Sequence, residues 1–262
     1  MCDGAVIPHY GINLPRSQHS EWDRIMNTGR EETLRYHQSF YAAHLLYEPG
    51  TWLHTPAPYI MQVVDHLPRN QACKVLDIGS GVGRHCIALA QQLPPNSSIV
   101  AVDILPLAIE KLMKNARKYG VAKSLTAVVA DIEDFPIASN SIDLVISCSA
   151  LEHVSSKDVL RSRLADLQSG TRDHGIHCFM INTDFREISA AGEELFGTIE
   201  FALSLGEASS LIEELYSSWD ILDQSTKRWE VSEYRGDDRY NVVSTCLQIL
   251  ARKSEPRSHL SM

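Results

Sequence analysis

Between residues 72 and 182, short apolar runs of β type alternate with amphipathic segments, a pattern that commits the chain to a parallel sheet with crossover helices. The β-type runs are Val75 to Ile78, Ser98 to Asp103, Leu125 to Ala130, Ile142 to Ser147 and Gly175 to Ile181. Helical patterns over Val82 to Gln92, Leu105 to Tyr119 and Lys157 to Gln168 fit between them, with Gly120 as the stop of the second. After residue 200 the pattern changes to one helix, Ser204 to Tyr216, and two extended runs, Trp219 to Asp223 and Tyr240 to Ala251. The polar connection between those runs predicts an antiparallel pair added to the parallel strands. The expected fold is therefore α/β and doubly wound, with a mostly parallel seven-stranded sheet ending in an antiparallel hairpin.

The 262 residues are 44% apolar, enough to bury a full core as one large domain with additions. Residues 1–55 carry aromatic side chains but no strand pattern and are expected to form a helical cover over the domain at 56–252. Residues 253–262 read as a disordered tail. No apolar run reaches the roughly 18 residues of a membrane span, and the first residues lack the features of a secretory signal. A cytoplasmic protein with no membrane partner is the expectation. The six cysteines form no C-x-x-C pair, and the 11 histidines show no H-x-x-x-H or H-E-x-x-H spacing, so neither a disulfide framework nor a metal site is expected. A net charge of -9 opposes attraction to a phosphate backbone and argues against a nucleic-acid partner. A monomer or a homodimer is equally compatible with the composition.

Residues 74–90 read K-V-L-D-I-G-S-G-V-G-R-H-C-I-A-L-A, a strand, three glycines on alternate positions, and a helix-like stretch. Glycines allow a tight turn and close approach of a ligand, and the helix start offers free N–H groups, so a nucleotide-type cofactor is expected here. The register is not that of a dinucleotide site. A G-x-G-x-x-G motif starting at Gly79 would place its third glycine at residue 84, which is Arg84, whereas Gly83 holds the third glycine. Asp77, two residues before the first glycine, would repel a pyrophosphate and attract an ammonium group.

The segment V-L-D-I-G-S-G-V-G at 75–83 resembles the first motif of class I S-adenosylmethionine-dependent methyltransferases, a Rossmann-like family. The resemblance implies that Asp77, Gly79, Ser80, Gly81 and Gly83 pack against the amino-acid end of the cofactor. Asp103 ends the second strand, where a carboxylate can accept from ribose hydroxyls, followed by Ile104; its competing role is to cap the next helix. Asp131 in V-V-A-D-I-E-D-F-P is similar to the family position that accepts from the adenine amino group, with Ile132 packing on the ring. The fourth strand leads into S-C-S-A, which makes Ser147 and Cys148 cofactor contacts by the same resemblance. DNA and RNA amino-methyltransferases usually carry an N/D-P-P-Y segment at this point, and its absence agrees with the acidic charge.

His153 has two readings: a general base for an acceptor OH, SH or NH, or a histidine that orders its loop. The V-L-E-H stretch of quinone-biosynthesis O-methyltransferases is similar to the A-L-E-H of residues 150–153, but Ser149 stands where that metal site has a further glutamate, so no metal is carried over. Tyr36, His37, Trp52, His54 and Ser149 are candidate lid or substrate residues. The C-terminal part is similar to small-molecule methyltransferases, including the tellurite-resistance branch. The resemblance thus implies methyl transfer to a small-molecule substrate, with S-adenosyl-L-methionine as cofactor and S-adenosyl-L-homocysteine as product. A non-catalytic S-adenosylmethionine-binding sensor or partner subunit is the alternative.

Overall fold

A computed structural model describes residues 21–195, 201–235 and 238–255, with side chains from residue 29 onward except 233–238. Its strands are β1 (Lys74–Ile78), β2 (Ser98–Asp103), β3 (Leu125–Val129), β4 (Ile142–Cys148), β5 (Thr171–Ser189), β6 (Glu194–Leu195), β7 (Trp219–Arg235) and β8 (Asp238–Lys253). The helices are α1 (Glu21–Ala43), α2 (Pro58–Met61), α3 (Cys86–Ala90), α4 (Pro106–Lys118), α5 (Lys157–Gly170) and α6 (Leu205–Leu215).

The sheet order is β3-β2-β1-β4-β5-β8-β7, with the first five strands parallel and β8 antiparallel to both neighbours. Side chains alternate between two buried faces with the period of two expected of a strand. Val75, Leu144, Ile146, Ile176 and Leu250 face the layer that holds α3 and α4, whereas Leu76, Val145, Phe179, Ile181 and Ile249 face α5 and α6. The chain leaves β1 toward β2 and β3, then returns to β4 on the other side of β1. That reversal opens a crevice beyond the carboxyl ends of β1 and β4, where open α/β sheets bind their ligands.

The strand count corrects the sequence reading, since the sheet has eight strands rather than seven. The added strand, β6, is a two-residue antiparallel partner of Glu187 and Ile188, and it exists because β5 continues well past Ile181. β7 and β8 are also longer than expected. Their outer halves join the outer half of β5 as an antiparallel arm whose residues are largely exposed on β7, so the polar and charged alternation there carries no strong apolar signal. The helix expected over Val82 to Gln92 is cut to Cys86–Ala90, because the left-handed backbone of Gly83 (φ +96°) delays its start. The tail expected from residue 253 begins too early: the Lys253 ammonium donates to the carbonyls of Gln168 and Thr171 at 2.9 and 2.6 Å. Residues 256–262 and 1–20 of that reading lie outside the described residues. Within the described part, no helix is long and apolar enough to cross a membrane.

One buried polar chain ties α5 and α6 to the sheet. Thr171 donates to the Leu167 carbonyl at 2.7 Å, so its oxygen accepts from His177 Nε2 at 2.8 Å, and His177 Nδ1 then accepts from the Tyr216 hydroxyl at 2.7 Å. Burial pushes the imidazole down to about 3, which keeps it neutral as this pattern of donors requires. Tyr216→Phe leaves His177 Nδ1 buried without a donor and should cost about 1–3 kcal/mol in urea unfolding; a change below the error of that experiment would show that the chain of bonds contributes nothing.

Candidate functional site

The glycine loop follows β1 and holds left-handed backbone at Gly79 (φ +68°) and Gly81 (φ +53°). The amides of Gly79 and Ser80 both donate to the Val102 carbonyl at 2.9 Å, which folds the loop back over β2. The space around it is filled by the chain itself. A Cβ on Gly79 would stand 2.2 Å from the Ala150 Cβ, and one on Gly81 would stand 2.6 Å from the Tyr41 hydroxyl. Side chains are therefore excluded first by the β4 exit and by α1, before any ligand is considered.

Asp103, at the tip of β2, holds the glycine loop and the approach to α4 by two backbone amides. One carboxylate oxygen accepts from the Gly81 amide at 2.8 Å, and the other accepts from the amide of Leu105, the N-cap of α4, at 2.9 Å. Burial pushes its pKa up despite those two bonds. Asp77 lies deeper, 2% exposed, with Oδ2 unpartnered among the described residues. Its pKa is pushed up to about 7, chiefly by burial, against the opposing effect of a hydrogen bond from Cys86.

A cavity of about 950 Å³ opens over the tips of β1 to β4 and continues along one face of the β5–β8–β7 arm. Gly79, Ser80, Gly81, Asp103, Ile104, Asp131, Ile132, Cys148, Ser149 and His153 all line it, as do Tyr36, His37, Trp52 and His54 from the cover. Sequence reasoning had singled out every one of these. Asp77, Gly83 and Ser147 stand behind the wall rather than in it. The roof is an aromatic cluster in which Phe40 stacks on Trp52 with centroids 4.8 Å apart.

Three residues that close the cavity were not anticipated. Arg84 donates to the Trp52 carbonyl at 2.6 Å and to Cys148 Sγ at 3.3 Å, with its guanidinium 5.3 Å from the Trp52 ring centroid, so it bolts the roof to the end of β4. Arg30 of α1 pairs with Asp131 and, at 3.2 Å, with Glu133, which fastens the cover helix over the tip of β3. Tyr41 supplies the hydroxyl above Gly81. The sequence holds a signal for two of them: Arg84 occupies the position of the missing dinucleotide glycine, and Tyr41 is one of the aromatics of the expected cover.

At the end of β4, Glu152 is 1% exposed and accepts from the amide and the side chain of Asn182 at 3.1 and 2.7 Å. Asn182 also donates to Ser149 Oγ at 2.9 Å, which orders the turn carrying His153. The His153 ring lies 6.2 Å from that of His37, so a histidine of the cover meets one of the strand end across the cavity. Burial, with a smaller effect from His153, pushes His37 down to about 3 and keeps it neutral. Four polar atoms of cavity-lining side chains are buried with no partner among the described residues: His37 Nδ1, Gln62 Nε2, Ser80 Oγ and His85 Nε2. Such atoms are costly unless a ligand or water completes them.

Residues 75–194 match the family model described as "Methyltransferase domain". Over that span the chain resembles class I S-adenosylmethionine-dependent methyltransferases. This domain is 36% identical over 73 residues to an arsenite methyltransferase of Halobacterium salinarum, covering 28% of this chain and 18% of that relative. The chain thus spans less than a fifth of the relative's length. Among solved structures, TehB from Haemophilus influenzae superposes with a TM-score of 0.57 at 17% identity, covering 74% of this chain and 61% of its own. The [4+2]-cyclase SpnF superposes with a TM-score of 0.56 at 16% identity, covering 88% of this chain and 97% of its own. These two likenesses show the shared α/β fold, including much of the chain outside residues 75–194.

Proposed function

We propose that the chain transfers the methyl group of S-adenosylmethionine to a small-molecule acceptor inside the cavity described above. One observation carries the reading: a single cavity, open to solvent on one side, touches the glycine loop, Asp103, Asp131 and His153 together, under a roof supplied by α1 and the Trp52 segment. The residues present fit the cofactor. Ser80 Oγ is a buried polar atom at the glycine loop without a partner among the described residues, and Arg84, which also lines the cavity, supplies a cation suited to a carboxylate. Asp77, behind the loop, favours an ammonium group through its field rather than by contact when it is ionised. Both Asp103 oxygens retain lone pairs for sugar hydroxyls after accepting one amide each, and Asp131, although paired with Arg30, has capacity left for a base amino group.

When bound, the cofactor supplies an electrophilic methyl carbon on a sulfonium. The chain's own contribution is positional: the aromatic roof excludes water, the β4 exit borders the reaction space, and alignment of the acceptor lowers the barrier by about 7–11 kcal/mol. His153 accepts a proton from an acceptor that begins protonated, adding roughly 100-fold or more. An acceptor that is already an anion needs no such help. The five described cysteines are free thiols, which supports a reducing, cytoplasmic compartment.

The test is to incubate the chain with methyl-labelled S-adenosylmethionine and a cell extract, then separate small molecules from protein and nucleic acid. Label should accumulate in the small-molecule fraction. Label in the macromolecular fraction would overturn the acceptor class, and none in either would favour the non-catalytic sensor.

A further inference from the structure

The cavity, about 950 Å³, stands at the upper end of the roughly 300 to 1,000 Å³ of ligand pockets, and its lining extends well beyond the strand tips. Its second half lies on the antiparallel arm. There, Asn182 of β5 is in register with Cys246 of β8, and Cys246 with Lys227 of β7, so the three form one row across three strands. Neighbouring strands lie about 4.8 Å apart, which makes the row roughly 10 Å long. The next rows of the same face present Trp229 opposite Ser244 and Val231 opposite Val242, all cavity residues. Trp229 and Val231 are 36% and 38% exposed, an apolar surface left open on an edge strand.

The charges along this half are asymmetric. Of the described residues that line the cavity, only Asp103 and Asp131 are acidic, and both lie at the strand tips. Arg30 and Arg84 are engaged, the first by two carboxylates and the second by a carbonyl and a thiol. Lys227 forms no ion pair with the described residues, and its ammonium sits 5.7 Å from the centroid of the Trp229 ring. An ammonium held over an aromatic ring and paired with no carboxylate among the described residues is placed to meet the acid group of a flat ring bound alongside.

We infer that the acceptor is a flat aromatic anion of about two rings, lying along the Asn182–Cys246–Lys227 row with its acid group at Lys227 and its methyl-accepting end toward Ser149 and His153. The inference rests on the methyl-transfer reading and adds the class of acceptor to it. Lys227 acts here as a specificity residue, remote from the reacting atoms.

The experiment uses the full chain saturated with S-adenosylhomocysteine and titrates it with 2-naphthoate or 2-naphthamide, two probes that differ only in charge and hydrogen-bonding at one end. The carboxylate should bind at least 10-fold more tightly than the amide. Lys227→Gln should abolish that preference, Lys227→Arg should retain it, and neither should change the affinity for S-adenosylhomocysteine, since residue 227 is exposed and far from the strand tips. Equal affinity for the two probes, no binding of either, or a preference that survives in Lys227→Gln would overturn the inference. Failure to bind S-adenosylhomocysteine in the preceding titration would instead overturn the methyl-transfer reading itself, so the two failures are told apart.

Discussion

Gly79→Ala is expected to destabilise the chain by roughly 2–5 kcal/mol in urea unfolding and to abolish binding of S-adenosylmethionine. Two costs combine. The backbone at residue 79 is left-handed (φ +68°), which an alanine adopts at about 1–2 kcal/mol. The new methyl would also stand 2.2 Å from the Ala150 Cβ, so either the glycine loop or the β4 exit must move. Ala150 precedes the short turn that carries His153, and the shift would reach both ends of the site. Gly120→Ala separates the two costs, because Gly120 is also left-handed (φ +74°) but has open space where its Cβ would lie. That variant should lose only the backbone cost and keep its ligand affinity. If the two variants were equally stable, crowding against Ala150 would not be what fixes the loop.

Asp77→Asn should make the ligand-free chain more stable at pH 8 and leave it unchanged at pH 4. The folded pKa of Asp77 is raised to about 7 by burial, above the ordinary 3.8 of the unfolded chain. Below pH 3.8 the carboxyl is neutral in both states and costs nothing. Between 3.8 and 7 only the unfolded state releases its proton, so stability falls as the pH rises, and above 7 the full cost is present. A shift of this size corresponds to on the order of 4 kcal/mol. His37 and His177, both lowered to about 3, act with the opposite sign: their contribution falls as the pH drops below about 6.5. Both histidines are present in both proteins, so the difference between wild type and Asp77→Asn isolates the carboxylate. A difference that did not change between pH 4 and pH 8 would mean that Asp77 is not held protonated by its surroundings. A buried acid that costs stability beside the glycine loop is what a cation-binding site would retain.

Much of the architecture was legible because burial writes a period into the sequence. Strands covered on both faces appear as Val75-Leu76 or Val145-Ile146, with polar or glycine residues at or just past their ends where the crevice opens. The arm of β5, β7 and β8 was not legible beyond its inner half, since an edge strand with one solvated face mixes lysine, arginine and glutamate with isolated tryptophan and valine. The start of α3 was misplaced for a different reason: helical periodicity in the sequence does not register the left-handed backbone of the glycines before it.

At the site, local motifs placed Gly79, Gly81, Asp103 and Asp131, because each lies at or just past the end of β1, β2 or β3. The partnerships that close the cavity join distant parts of the chain. Arg30 reaches Asp131, Tyr41 reaches Gly81, and His37 faces His153 only after α1 folds over the sheet. No spacing rule connects such pairs. The glycine pattern itself was read as room for a ligand, whereas Ala150 and Tyr41 take up the space that a Cβ would fill.

The most direct measurement is a calorimetric titration of the full chain with S-adenosylmethionine, repeated with Asp103→Ala. Saturable binding to one site is expected, with at least 10-fold weaker affinity in the variant, because its loop loses the bond that holds the Gly81 amide and the sugar loses its carboxylate. Absence of binding to the wild-type chain, or an affinity unchanged by Asp103→Ala, would contradict the assignment of this cavity to the cofactor.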